Sequence, residues 1–302
     1  MRPEEWIGST TTRFGELVNG LSKLSDGGLL KDAVNADPSA WLGQKHVEKF
    51  GVSTEVLVKL LDPDQRLPVH YHPDQRFAKE KLHLNHGKTE AWIILEAPAG
   101  ARVGLGFSKQ MDKSEVAKLV KAHDSEALLD SLVFKEVKPG DAVFVPAGVA
   151  HAIEAGIFVL ELQEPTDLSI LLEWDGFAVD GDKDGHLNLG YETALDALRL
   201  SPLTKAENDE IFTGFDSSSP KSHSIFKSVA NPFFRADYLT GDEQKVEAGF
   251  GIFLCLSGEG ELVFENSENL SVKSGDAVVI PFAAGSFTVS NCVGILSRPP
   301  AA

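Results

Sequence analysis

From Glu55 onward the chain repeats one motif of hydrophobic and polar positions. Short apolar or alternating runs, "EVLVKLL", "AWIILEA", "ARVGLGF", "LVFKEV", "DAVFVPA" and "IFVLELQ", are cut by Gly, Pro and Asp. Runs of this length, bounded by turn residues, are strand-like and predict a mainly β protein, a sandwich or a barrel. Residues 29–60 read instead as a helical preface. Asp37 is placed to cap a helix that takes Pro38 in its first turn, buries Trp41, Leu42, Val47 and Phe50, and stops at Gly51. One helical insertion, over about 112–131, interrupts the strands. There Asp112 and Glu115 have capping-box spacing, and Val116, Leu119 and Val120 recur at helical intervals. A second helical patch covers about 191–212, after which strands resume from about 225.

An internal repeat organises the β part. "VKPGDAVFVP" (137–146) and "VKSGDAVVIP" (272–281) share seven of ten residues, which predicts two copies of one β module, each with a tight turn leading into a strand. The expected division is a first module with its helical preface and insertion (1–180), a helical connector (181–224) and a second module (225–302).

Charge narrows the partners. The chain has 302 residues, 42% of them apolar, with 45 acidic against 28 basic side chains and a net charge of −17. A surface this anionic repels nucleic-acid phosphates and anionic membranes. No signal peptide or membrane-spanning run is present, so a cytoplasmic protein is expected. Cys255 and Cys292 lack CxxC spacing and read as two reduced, buried thiols.

The chemistry gathers in the first module. In "LPVHYHPDQ", His70 and His72 fall on the same face of an extended strand, so two imidazoles can share one ion. In "GKTEAWIIL", Glu90 shares a strand face with Trp92 and Ile94, and an acid among large apolar side chains needs a partner. In "GDAVFVPAGVAH", Pro146 and Gly148 would turn the chain so that His151 faces inward. His70, His72, Glu90 and His151 thus form an N,N,N,O ligand set for one divalent ion: zinc, with Mn, Fe, Co or Ni also compatible. His46, His83, His86, His123, His186 and His223 lie in polar or helical stretches and read as solvated, His83 and His86 being near enough to Glu90 to line a pocket. In the second copy Ser286 falls where His151 stands in the first, and no HxH precedes it. That copy is expected to be degenerate and without metal ligands.

The motif spacing resembles that of the cupin superfamily. More narrowly, "WLGQKHVEKFG", "LVKLLD", "VHYHPD", "GKTEAW", "VKPGDAVFVPAGVAHAI" and "LELQEPTDLS" resemble the class I mannose-6-phosphate isomerases of the short bacterial type. The resemblance implies two cupin (jelly-roll) modules with a helical N-terminal segment and helical insertions. It implies a metal, usually zinc, on the residues matching His70, His72, Glu90 and His151, and conversion of mannose 6-phosphate to fructose 6-phosphate through a cis-enediol. Lys88, Glu161 and Gln163 are the candidate catalytic residues, with Asp167 behind them, and Trp92 and Trp174 are candidate walls for a sugar. Two departures stand out. The family typically has Gln where this chain has His70, and its catalytic arginine falls on Leu171. The second departure leaves open an isomerase of an unphosphorylated sugar, or a non-catalytic cupin that binds sugar and metal. An iron-dependent cupin dioxygenase shares the ligand chemistry. The expected partner is a small-molecule sugar or sugar phosphate, and the protein is expected to be a monomer or a homodimer.

Overall fold

The computed structural model describes residues 4–241 and 244–302. The chain divides into two compact units, one built mainly of Leu60–Phe212 and the other of Glu5–Lys59 with Thr213–Ala302. The "EVLVKLL" run forms β1 (Leu57–Leu61). Among the described residues no helix is long and apolar enough to cross a membrane.

The first unit holds β2 (His70–Tyr71), β3 (Glu90–Glu96), β4 (Arg102–Phe107), β5 (Leu132–Glu136), β6 (Asp141–Val145), β7 (His151–Ile153), β8 (Phe158–Gln163) and β9 (Ile170–Leu171). β8, β3 and β6 are neighbours in one antiparallel sheet, and β9-β2-β7-β4-β5 is the order of a second. Register sets the chemistry. Glu90 lies opposite Gln163 on one side and Val145 on the other, while His70 lies opposite His151 and Leu171. Ala91, Trp92, Ile93 and Ile94 are all inaccessible, as expected of a strand covered on both faces. Each such large side chain contributes about 2 kcal/mol of burial.

The insertion forms two helices, Lys113–Ala122 and Ser125–Asp130. Val116, Val120 and Leu128 enter a core with Tyr71, Phe107 and Met111. The expected capping box does not form: Asp112 stands at the N-cap but makes no side-chain capping bond. The single helix is also broken, because His123 adopts a left-handed conformation (φ 55°) and its N–H closes the first helix on Leu119 and Val120 carbonyls. Asp124 then caps the second helix through Ala127 N–H.

Two expected boundaries change. The preface, three short helices (Leu30–Ala36, Pro38–Leu42 and Gln44–Phe50), belongs with the second module and not with the first. Asp37 caps as expected, accepting from Ala40 N–H. Gly43 (φ 86°) interrupts the helical run, and it sits where a Cβ would come within 2.6 Å of Phe282; Lys49 Nζ donates to Ala301 O. Sequence adjacency suggested the first module, but apolar packing chose the second. The connector is likewise no separate element as far as residue 212, since Ala194, Leu195 and Leu198 are part of the first unit's core.

In the second unit β10 (His223–Ser224), β11 (Arg235–Leu239), β15 (Phe287–Arg298), β12 (Gly251–Phe264) and β13 (Leu270–Lys273) follow one another across a sheet, and β14 (Ala277–Ile280) pairs with β12. Cys255 and Cys292 are free and buried there. The repeat is reproduced bond for bond. Lys138 N–H donates to Asp141 Oδ2 and Lys273 N–H to Asp276 Oδ2, both at 2.9 Å, and Gly140 and Gly275 take φ of 93° and 92°. Positive φ at the third turn residue explains the shared glycine.

Gly275→Ala should cost about 1 kcal/mol from backbone strain alone, because a Cβ there meets nothing within 4 Å. Gly260→Ala should cost more, since its Cβ would fall 1.9 Å from Ser290 O. Urea unfolding midpoints of the two variants check the order.

Candidate metal centre

The positions of the three histidines begin in the backbone. Glu173, buried, accepts from Val69 N–H at 2.6 Å and is clamped by both terminal nitrogens of Arg66, which fixes the strand entering His70. Gly148, at φ 83°, donates to His72 O at 2.7 Å and so ties the turn before His151 to the HxH strand. A Cβ at Gly148 would stand 3.0 Å from Ala197 O. Glu164, buried, accepts from Thr89 N–H and from Gln75 Nε2, bracing the segment that carries Lys88 into the strand starting at Glu90. Neither Glu164 nor Glu173 is among the residues expected from sequence. Only their long-range backbone partners mark them.

His70, His72 and His151 are buried, and one ring nitrogen of each lies within 4.8 Å of those of the other two. Their Nδ1 atoms face the carbonyls of Pro68 (2.7 Å), Leu168 (2.6 Å) and Val149 (2.8 Å). A carbonyl only accepts, so each Nδ1 carries the proton and each Nε2 presents a lone pair. These lone pairs meet: His151 Nε2 is 3.0 Å from His70 Nε2. Glu90 joins them, with Oε2 3.0 Å from His72 Nε2 and Oε1 3.3 Å from His151 Nε2. Three imidazole acceptors and a carboxylate converge here; the Lys88 ammonium reaches His72 Nε2 and Glu90 Oε2, and the facing lone pairs of His70 and His151 repel unless a cation sits between them. The donor set therefore fits a divalent ion, and the four side chains expected to hold one lie together.

Burial is the main cause of the histidine shifts. It lowers His72 to about 3, with the Lys88 charge adding to it, and His151 to about 3 against the pull of Glu90; it also takes His70 well below its ordinary value, with His151 adding to it. Burial alone would raise Glu90, but Lys88 and the imidazoles hold its carboxyl well below the usual range. Lys88 is raised, Glu90, Glu161 and Asp167 together outweighing its own burial. Its Nζ lies 2.9 Å from Glu90 Oε2, 3.2 Å from His72 Nε2 and 3.8 Å from Glu161 Oε1.

The other expected residues divide. Gln163 is fully buried, its amide nitrogen donates to Thr166 O, and its Oε1 accepts no hydrogen bond among the described residues. Trp92 donates to Glu90 Oε1 and stands edge-on to His151. Trp174 instead stacks on Tyr191 and packs over Gly181, within the core around the helical insertion. His46 is buried against Ser53 O and is not solvated as expected. His83 is exposed, at the left-handed end of a short π-helical turn. Leu171 is half-buried beside His70.

No family model matches the chain. It is 33% identical over 247 residues to mannose-6-phosphate isomerase ManA of Bacillus subtilis (strain 168), covering 81% of this chain and 73% of that protein. It is 28% identical over 271 residues to the mannose-6-phosphate isomerase of Streptococcus mutans serotype c, covering 87% and 79%. Among solved structures, a mannose 6-phosphate isomerase from Bacillus subtilis superposes with a TM-score of 0.65 at 24% identity, covering 90% of this chain and 82% of that one. A holo, zinc-bound mannose 6-phosphate isomerase superposes with a TM-score of 0.71 at 16% identity, covering 99% and 91%.

Because the imidazoles are already neutral, affinity for zinc should change by less than about threefold between pH 6.5 and 8, as competition with a chromophoric chelator would read. His151→Ala and Glu90→Ala should each strip the metal, checked by elemental analysis. In the metal-free protein the imidazoles resist protons that the unfolded chain accepts. Their contribution is therefore complete above pH 6.5 and is lost as pH falls toward about 3, at up to about 1.4 kcal/mol per pH unit per imidazole. Thermal melts of the apoprotein across that window check the sign.

Proposed function

The chain belongs to the mannose-6-phosphate isomerase family, and on that premise we propose that it is a zinc-dependent aldose–ketose isomerase that interconverts mannose 6-phosphate and fructose 6-phosphate in the cytoplasm. The observation that carries this reading is the convergence of three Nε2 lone pairs and Glu90 beside a charged, buried Lys88. His70, His72, Glu90 and His151 would hold the ion, whose chemistry when bound is that of a Lewis acid polarising a sugar carbonyl so that the neighbouring C–H becomes acidic.

The chain's own groups supply the rest. Lys88 is held as an ammonium, which suits it to donate to the oxygens at carbons one and two as charge develops there, and makes it a poor base. Glu161, a buried carboxylate 3.8 Å from that ammonium, is the group we assign to move the proton between the two carbons of a cis-enediol. Gln163 Oε1 accepts from a sugar hydroxyl, which would satisfy an otherwise unpartnered buried acceptor. Ala91–Ile94, inaccessible and continuing the strand from Glu90, would keep water from that side of a bound sugar.

A second reading is favoured by Leu171. With an apolar side chain beside His70, and Arg66 committed to Glu173, the first module offers few cations to a phosphate. An unphosphorylated aldose is then the substrate. A non-catalytic sugar-binding cupin follows from the same substitution if turnover is absent.

Zinc-loaded protein should convert mannose 6-phosphate to fructose 6-phosphate, and Lys88→Met should lower kcat by about 10²–10³ while bound zinc stays stoichiometric. Conversion of free mannose alone would select the second reading. If phosphorylated and free hexoses and pentoses all stay unchanged with zinc bound, the chain is not an isomerase.

A further inference from the structure

The second module carries a charge-inverted counterpart of the metal centre. The two copies align through their shared turns, so Val145 corresponds to Ile280 and strand pairing carries the correspondence across the sheet. Glu90 lies opposite Val145, and Gly251 lies opposite Ile280. Trp92 lies opposite Glu161 on β8, and its counterpart Phe253 lies opposite Leu296 on β15. Two residues further along, Gln163 therefore corresponds to Arg298. Where the first module has an acid and an amide, the second has a glycine and an arginine.

The missing side chain makes room for the added one. A Cβ on Gly251 would stand 3.4 Å from Arg298 Cγ and 2.9 Å from Leu296 Cδ1, so the arginine stem covers the glycine. Arg298 lies directly opposite Arg235 on β11. Leu239, Phe253 and Leu296 point into the second unit's core, so by strand alternation Arg235, Asp237, Arg298 and the Gly251 gap share that inward face at one end of the sheet.

Two arginines facing each other across adjacent strands repel, and burial makes the repulsion more costly. Arg298 is only 7% exposed. Its Nη2 donates to Glu247 O and Gly249 O, and Arg235 Nε donates to Pro299 O. Among the described residues Arg298 Nε, buried, has no hydrogen-bond partner. The carboxylates whose fields reach the pair are Asp237, half-buried, and Glu247, exposed, and neither makes an ion pair with an arginine among the described residues. Burial lowers both guanidinium groups, Arg298 to about 10 with Arg235 adding to the shift. Among the described residues, hydrogen bonds go only from Arg298 Nη2 and Arg235 Nε, in a protein whose net charge is −17.

We propose that this end of the second module is a binding site for a small oxyanion, phosphate or carboxylate, held between the guanidinium groups of Arg235 and Arg298. Such an anion neutralises the facing charges and takes up the free N–H donors in the forked geometry that guanidinium offers. The site is independent of the metal and of the isomerase reading. It makes the second module a ligand-responsive half of the chain.

The test is calorimetry and thermal unfolding of the full chain with inorganic phosphate, sulfate and malonate at fixed ionic strength, with chloride as the reference. Phosphate or malonate should bind and raise the melting temperature, and whichever binds more tightly names the class. Binding should survive in His151→Ala, which disables the first module, and should weaken about tenfold or more in Arg235→Gln and Arg298→Gln, with partial recovery in Arg235→Lys. If Arg298→Gln does not fold, Arg235→Gln decides alone, since its side chain makes one backbone bond. The proposal is overturned if none of the three anions binds the unmodified chain, if Arg235→Gln binds as tightly, or if binding is lost in His151→Ala and kept in Arg235→Gln.

Discussion

Three backbone carbonyls determine what the first module can be. By accepting from the Nδ1 of His70, His72 and His151, Pro68, Leu168 and Val149 leave each Nε2 a lone pair that faces its neighbours, with Lys88 reaching only that of His72. A buried carboxylate closes the set. This arrangement is unfavourable as a piece of protein and favourable as a cation site, so the surrounding structure has to hold it open. Glu173, Glu164 and Gly148 do that work, each tying a backbone segment that carries one of the four groups.

The electrostatics beside that centre separate the roles of similar residues. Glu90, Glu161 and Asp167 keep Lys88 protonated, and burial keeps the histidines neutral. A cationic donor and neutral ligands thus sit within hydrogen-bond distance of each other at neutral pH. That combination suits chemistry in which a carbonyl oxygen gains charge as an adjacent carbon loses a proton. Leu171, apolar and half-buried beside His70, adds no fixed charge to the site.

The two modules show how far a shared backbone separates from shared chemistry. Their turns have the same capping bond and the same left-handed glycine, and their central strands pair in the same register. Their ends carry opposite charge. A turn needs a glycine and an aspartate at set positions, whereas a side chain at a strand end answers only to what packs against it.

Much was legible in the chain alone. The HxH pair, the G-x5-P-x-G-x2-H run, Glu90, the strand series, the repeat and the Asp37 cap all follow from spacing of a few residues, where backbone geometry dictates which side chains share a face. Other features depended on partners far away in sequence. The preface joined the second module because Gly43 meets Phe282; the insertion split because His123 turned left-handed; Asp112 left its cap unused. The bracing acids Glu164 and Glu173 and the arginine pair were invisible, because a charge in a sequence carries no sign of whether it will be buried or what will face it. Local pattern determines elements and the faces they present, and only tertiary packing decides which faces meet, and so which charges are stranded and need an ion.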